Sequence, residues 1–152
     1  MAETKTSRLI QIGIKYKTRG GSIIPRLIQF ILREYYSMEY IFDKENTIGK
    51  NVRFAHNGIG TVIGPTVKIG NNCKIYQNVT LGANRKIVNG IITNEGYLEI
   101  EDDVIIYAGA IIVGPVKIGR GSVVGANSVV TEDIPKNSIV HVVRSVVSLK
   151  ND

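Results

Sequence analysis

Branched apolar residues recur along this chain at a strict spacing of six. Ile63, Ile69, Ile75 and Leu81 form one run, and Ile100, Ile106, Ile112, Ile118, Val124 and Val130 form a second. That spacing fits neither the period of about 3.6 of an amphipathic helix nor the two-residue alternation of a surface strand. It is sustained when short strands turn a corner every six residues, so that the chain coils and like positions stack. A second, narrower column sits four residues after the first: Val67, Cys73, Val79, Val104, Ala110, Val116, Ser122 and Ser128. Glycines at the second or third place of a hexad, as in I-G-P-T-V-K and I-G-R-G-S-V, suit corners where φ turns positive. The pattern predicts an all-β solenoid of coiled parallel strands over residues 46–136. A basic segment with an amphipathic helix (1–45) precedes it, and a tail (137–152) follows.

That helix is read over residues 22–41, where Ile23, Ile24, Leu27, Ile28, Phe30, Ile31 and Tyr35 follow a Gly20-Gly21 break, with Pro25 early. It has two readings. One is a cap on the open end of the solenoid, where a bare strand edge invites aggregation; the other is a peripheral contact with a membrane surface.

Composition narrows the setting. The chain has 152 residues, enough for one core, and its single cysteine, Cys73, excludes an internal disulfide. No apolar run approaches the roughly 20 residues of a membrane span and no signal-like start is present, so a cytoplasmic protein is expected. The net charge of +6 is concentrated in Lys5, Arg8, Lys15, Lys17, Arg19, Arg26 and Arg33, ahead of the repeats. These residues form no nucleic-acid-reading module, so no nucleic acid partner is expected.

Two interruptions of the period are the places to look for chemistry, because insertions in a solenoid project as loops. From Phe54 to Ile63 the step is nine residues, which makes H-N-G-I-G-T bulge beside His56; from Leu81 to Ile100 a long excursion forms a loop over 83–97. If each coil takes three hexads, Phe54, Ile75, Ile106 and Val124 stack, and His56 lies over Gln77, Ala108 and Ala126. An imidazole at the end of such a groove suits a general base.

R-F-A-H-N-G-I-G-T-V-I-G, N-N-C-K-I-Y-Q-N-V-T-L-G, I-I-Y-A-G-A-I-I-V-G and G-S-V-V-G-A-N-S-V-V resemble the serine O-acetyltransferase branch of the hexapeptide-repeat acyltransferases, over about residues 46 to 140. The resemblance implies a left-handed parallel β-helix with three hexads per coil, hence about four coils, and periodicity shows neither the hand nor that count. It also implies a homotrimer with sites between subunits, acetyl-CoA as donor, no metal, and His56 as the base that deprotonates an acceptor hydroxyl. Asn57, Arg85, Glu95 and Tyr97 are then candidates for the acceptor. Gly82, Ala83, Ala108, Gly109, Ala110, Gly125, Ala126 and Asn127 are candidates for the cofactor, with Gly82, Ala83 and Gly109 as possible oxyanion donors.

The chain departs from the family in three places. Ala55 stands where the family has an aspartate before the histidine, Tyr97 aligns with a second histidine, and S-I-V-H-V-V-R-S-V-V replaces the G-N-P-A tail, leaving Arg144 or Lys150 for the CoA phosphates. Orientation of His56 falls to Asp43, Glu95 or a backbone carbonyl. These departures, and the chain's size, point to a saccharide acceptor of capsule, exopolysaccharide or O-antigen type. Serine, as in cysteine biosynthesis, and a non-catalytic scaffold are the alternatives. A γ-type carbonic anhydrase needs three histidines for zinc, and this chain has two.

Association has an independent argument. Ile105, Ile111, Val123 and Val129 occupy the sixth hexad place, where Lys68, Lys74 and Lys117 stand elsewhere. Turned outward, they form an apolar patch that closed cyclic packing would cover.

Overall fold

In the computed structural model, which describes residues 3–82, 85–88, 91–94 and 96–142, short parallel strands stack into three sheets around one core. The first side contains Glu39–Tyr40, Val62–Ile63, Thr80–Gly82, Ile111–Val113 and Val129–Val130. The second contains Thr47–Ile48, Val67–Ile69, Leu98–Ile100 and Lys117–Ile118, extended by a bridge from Ile118 to Ile134. The third contains Arg53–Phe54, Lys74–Ile75, Ile105–Ile106, Val123–Val124 and Ile139–Val140. Successive strands visit the three sides in turn, which is the arrangement of a parallel β-helix.

The expected stacking is found: Phe54 pairs with Ile75, Ile75 with Ile106, and Ile106 with Val124. The ladder residues Ile63, Ile75, Leu81, Ile106, Ile112, Ile118 and Val124 have no exposed surface, and the second column of Val67, Cys73, Val79, Val104 and Ala110 lies beside them. Burial of side chains this size contributes about 1.5–3 kcal/mol each, which is why a short repeat with few hydrogen bonds per strand holds together. Burial also pushes the Cys73 thiol up to about 11, leaving it inert. The column's later members are polar. Ser122 is fully buried, and its Oγ donates to Pro135 O at 2.8 Å and accepts from Ser138 N at 3.1 Å.

Two features depart from the expectation. The helix read over 22–41 runs only from Ile23 to Tyr36 (α2), ended by Ser37 in the left-handed conformation, and a second helix, Lys5–Thr18 (α1), precedes it. The sheets begin at Glu39, paired with Val62, earlier than residue 46. This first turn has its own filling: Tyr40, Met38 and Phe54 replace the aliphatic ladder, and buried Asn46 takes a core place. The Asn46 amide donates to Ile41 O (2.8 Å) and Gly64 O (3.2 Å), and its Oδ1 accepts from Val67 N (3.0 Å). Both helices pack over this turn. Gly13 of α1 lies so close to the Phe42 ring that a side chain there would collide with it.

The long excursion leaves the first side after Gly82 and contains an antiparallel pair, Arg85–Val88 with Ile91–Asn94.

Candidate functional site

The edge where the third side turns into the first carries the candidate histidine. After Phe54 the chain makes a tight turn over Ala55–Gly58 in which His56 (φ 53, ψ 35) and Asn57 (φ 56, ψ 20) are both left-handed. Left-handed backbone costs a non-glycine residue on the order of 1–3 kcal/mol, and it persists here because the surroundings fix it. Ile59 N donates to His56 O, Thr61 N to Gly58 O and Gly60 N to Ser37 O, while Gly58 packs against Met38. The result is an exposed imidazole standing off the corner, with no hydrogen bond among the described residues.

Below this turn the edge is a column of left-handed residues: Gly60, Asn78, Gly109 and Asn127, with φ of 69, 58, 72 and 57. Glycine and asparagine alternate for a steric reason. A Cβ at Gly60 would collide with Asn78 Oδ1, and one at Gly109 with Asn127 Oδ1. The backbone register matches the predicted stacking, since Gly109 N donates to Gln77 O and Asn127 N to Ala108 O. Ala108, Gly109, Gly125 and Ala126 therefore form a strip of small residues along the edge that leads away from the His56 turn. The amides along this edge are committed: Gly109, Ala110, Gly125 and Asn127 all donate within the coil. Gly109 is thus not a free oxyanion donor, and Ala110 is fully buried.

A tyrosine pair is the neighbour that periodicity alone does not single out. Tyr76 and Tyr107 stack with centroids 5.0 Å apart, and Lys74 Nζ donates to Tyr76 Oη at 2.6 Å. Register places them in line with Ala55, next to the histidine. The signal was present: both occupy the second hexad place, where Gly64, Gly70, Gly119 and Gly125 stand in other repeats.

Other expected residues lie elsewhere. Tyr97 is on the edge between the first and second sides, where its hydroxyl donates to Glu45 Oε2 (3.4 Å) and Lys68 Nζ lies 3.7 Å from its ring centroid. Asp43, an expected orienter of His56, is on that same edge, where its Oδ1 accepts from Glu45 N (2.9 Å). One chain therefore brings neither Tyr97 nor Asp43 to His56. Gly82 ends a strand where the long excursion leaves the first side, half-buried. Ala83, Glu95, Arg144 and Lys150 fall outside the described residues, as does the side chain of Arg85. Among the described residues no three His, Cys, Asp or Glu side chains gather as a metal set.

The three outer faces differ. The second side presents Thr47, Lys68, Glu99 and Lys117, whereas of the two sides that meet at the His56 edge the first presents Glu39, Val62, Thr80, Ile111 and Val129 and the third Arg53, Lys74, Ile105, Val123 and Ile139, both turning apolar in the later coils. Val129 and Ile139 are 66% and 61% exposed. The predicted apolar patch exists, divided between the two faces that flank the candidate site.

Residues 98–132 match the family described as bacterial transferase hexapeptide (six repeats). The chain carries transferase hexapeptide repeats and resembles the serine acetyltransferase branch. The serine acetyltransferase of Bacillus subtilis is 38% identical over 117 residues, which is 77% of this chain and 50% of that protein. The soybean serine acetyltransferase complexed with serine matches 93% of this chain and 56% of its own, at 29% identity and a TM-score of 0.76. A serine acetyltransferase in complex with CoA matches 88% of this chain and 50% of its own, at 26% identity and a TM-score of 0.70. The hexapeptide-repeat chain thus spans about half the length of these relatives.

Proposed function

We propose that this protein is an acetyl-CoA-dependent O-acetyltransferase in which His56 is the general base. The observation that carries this reading is the exposed, left-handed His56 turn at the head of a strip of small residues, in a repeat fold similar to a solved serine acetyltransferase that holds CoA. The imidazole takes the proton from an acceptor hydroxyl as its oxygen attacks the thioester carbonyl. The tetrahedral intermediate then collapses with cleavage of the C–S bond, and the imidazolium returns the proton to the leaving thiolate. The products are an O-acetyl ester and free CoA. Ala108, Gly109, Gly125, Ala126 and Asn127 would hold the donor along the edge.

The acceptor favoured by the relatives is L-serine. The saccharide expected from the chain's size and its departures at Ala55 and Tyr97 finds no support among them, since the matched proteins described above are serine acetyltransferases. Acetyl-CoA as donor sets the reaction in the cytoplasm.

The same reading includes the left hand of the helix and a homotrimer. The two apolar faces beside the His56 edge support packing of that edge into an assembly. Tyr97 and Asp43 lie on a different edge from His56, so a neighbouring subunit is needed to bring them near it.

The test is thiol release from acetyl-CoA with serine, free sugars, nucleotide sugars and polysaccharide fragments as acceptors. Serine-dependent release that is lost in His56→Ala supports the proposal. Release with a saccharide alone would overturn the acceptor, and no release with any acceptor would leave a non-catalytic scaffold.

A further inference from the structure

The two N-terminal helices carry more apolar and basic surface than capping the coil requires. α2 buries Pro25, Ile28 and Leu32 against the first turn, yet its opposite face leaves Ile23, Leu27 and Phe30 exposed at 81%, 57% and 51%. Their spacing of four and three places them in one stripe along the helix. Arg26 and Arg33 lie along one side of that stripe, and Glu34, four residues after Phe30, falls within it and pairs with Arg33. α1 repeats the arrangement: its outer face combines Ile12 and Tyr16, 46% and 41% exposed, with exposed Lys5, Arg8 and Lys15.

The charge of this region is net positive. Residues 3–37 contain seven basic residues and two acidic ones, and both acids are engaged within the chain. Glu3 accepts from Asn51 N at 2.7 Å and from the Gln11 side chain at 3.2 Å, and Glu34 pairs with Arg33 at 3.0 Å.

We propose that the outer faces of α1 and α2 form a docking surface for an anionic lipid bilayer. Apolar side chains rimmed by cations are what an interfacial helix presents to such a surface. The geometry requires that the helices lie in the interface. Each has 14 residues, about 21 Å long at the rise of an α-helix, against a hydrocarbon core of about 30 Å. No described helix is long and apolar enough to cross a membrane. Charge selects lipid over a second copy of this chain, because two such faces in contact would bring like cations together. Docking also has a consequence for the candidate site. α1 packs against the Ala55–Gly58 turn, so a docked protein holds His56 near the bilayer surface.

The experiment is co-sedimentation of the full chain with vesicles of equal parts phosphatidylglycerol and phosphatidylcholine, and with pure phosphatidylcholine vesicles. Binding to the anionic vesicles alone, weakened by salt, is expected. Arg26→Gln and Arg33→Gln should each weaken it about fivefold, and Leu27→Asp with Phe30→Asp should abolish it. All four residues are exposed, and unchanged thermal unfolding and acetyl-CoA binding of these variants show that fold and proposed activity are separate from docking. No binding to anionic vesicles, or equal binding by the Leu27→Asp/Phe30→Asp variant, overturns the inference. So does a fall in the mass of the wild-type assembly on making that variant, which would assign the face to a second copy.

Discussion

Two edges of the same prism use the same backbone to opposite ends. On the edge between the second and third sides, Asn51, Asn72, Asp103, Gly121 and Asn137 turn the corner in left-handed conformations, as Gly60, Asn78, Gly109 and Asn127 do on the His56 edge. There the side chains satisfy one another. Asn51 Nδ2 donates to Asn72 Oδ1 (3.1 Å), Asn72 Nδ2 to Asp103 Oδ1 (3.0 Å), and Arg120 Nε to Asp103 Oδ2 (3.1 Å). Asn71 N donates to Asp102 Oδ1 at 2.6 Å, and Arg120 N to Glu101 Oε2 at 2.7 Å. Polar groups on that edge are consumed in holding coils in register. On the His56 edge Asn78 and Asn127 alternate with Gly60 and Gly109, alanines stand at Ala108 and Ala126, two tyrosines stack, and an imidazole stands exposed. One corner geometry thus serves either use, and the proposed site lies on the edge where an imidazole keeps its bonding capacity unused.

The largest expected effect separates the edges by activity. His56→Ala should lower acetyl transfer by about 10²–10⁴-fold, the range for loss of a general base, with the unfolding temperature unchanged because the side chain is exposed. Steady-state thiol release and a thermal melt measure the two arms. Asp103→Ala on the opposite edge should do the reverse, lowering the melting temperature while leaving turnover per folded protein at the wild-type value.

Next in size is the steric alternation of the His56 edge. Gly109→Ala forces a Cβ into left-handed backbone and onto Asn127 Oδ1, and should cost about 1–2 kcal/mol in denaturant unfolding. Asn127→Ala made together with it removes the collision and should recover part of that loss. Additive costs would show that the asparagine is not what excludes the side chain.

A smaller effect sharpens the chemical side of the comparison. Ala55→Asp restores the carboxylate that the resemblance places before the histidine, and should raise serine-dependent kcat/KM several-fold. An unchanged value would mean that Ala55 is not what distinguishes this site.

The smallest effect is electrostatic. The Lys117 side chain and the Arg120 backbone amide hold the Glu101 carboxyl below its usual range, and the Asn72 amide and Arg120 do the same for Asp103. A depressed folded-state pKa contributes stability above the ordinary carboxylate range and loses it as pH falls through the folded value. The fold should therefore weaken below about pH 4, and Glu101→Gln with Asp103→Asn should flatten that acid limb. Lys117, raised mainly by its hydrogen bond with Glu101, acts in the other direction, contributing below the ordinary lysine value and losing it as pH rises through the folded one. All three are surface groups, so salt should reduce the effect.

The ladder from Ile63 to Val130 was legible because each inner position repeats once per hexad and tolerates only a branched aliphatic side chain. The first turn was not, because Tyr40, Met38 and Asn46 fill it by shape and hydrogen bonding, without a repeat to betray them. α1 was hidden by its composition: Lys, Arg and Gly interleave its apolar residues, and only Ile10 among the large ones is fully buried. The insertion after Phe54 located the turn that carries His56, and counting hexads placed Gln77, Ala108 and Ala126 in register with it. Tyr76 and Tyr107 escaped because a stacked pair depends on register between coils, although both stood in a glycine place. The separation of Tyr97 from His56 was likewise beyond a linear reading, since it follows from which edge each insertion leaves.

The most direct test of the account is calorimetric titration of CoA into wild type and His56→Ala, alongside serine-dependent turnover of both. CoA binding of equal strength in the two proteins, with turnover lost only in the variant, is expected. Absence of CoA binding by the wild type, or turnover retained without His56, would contradict it.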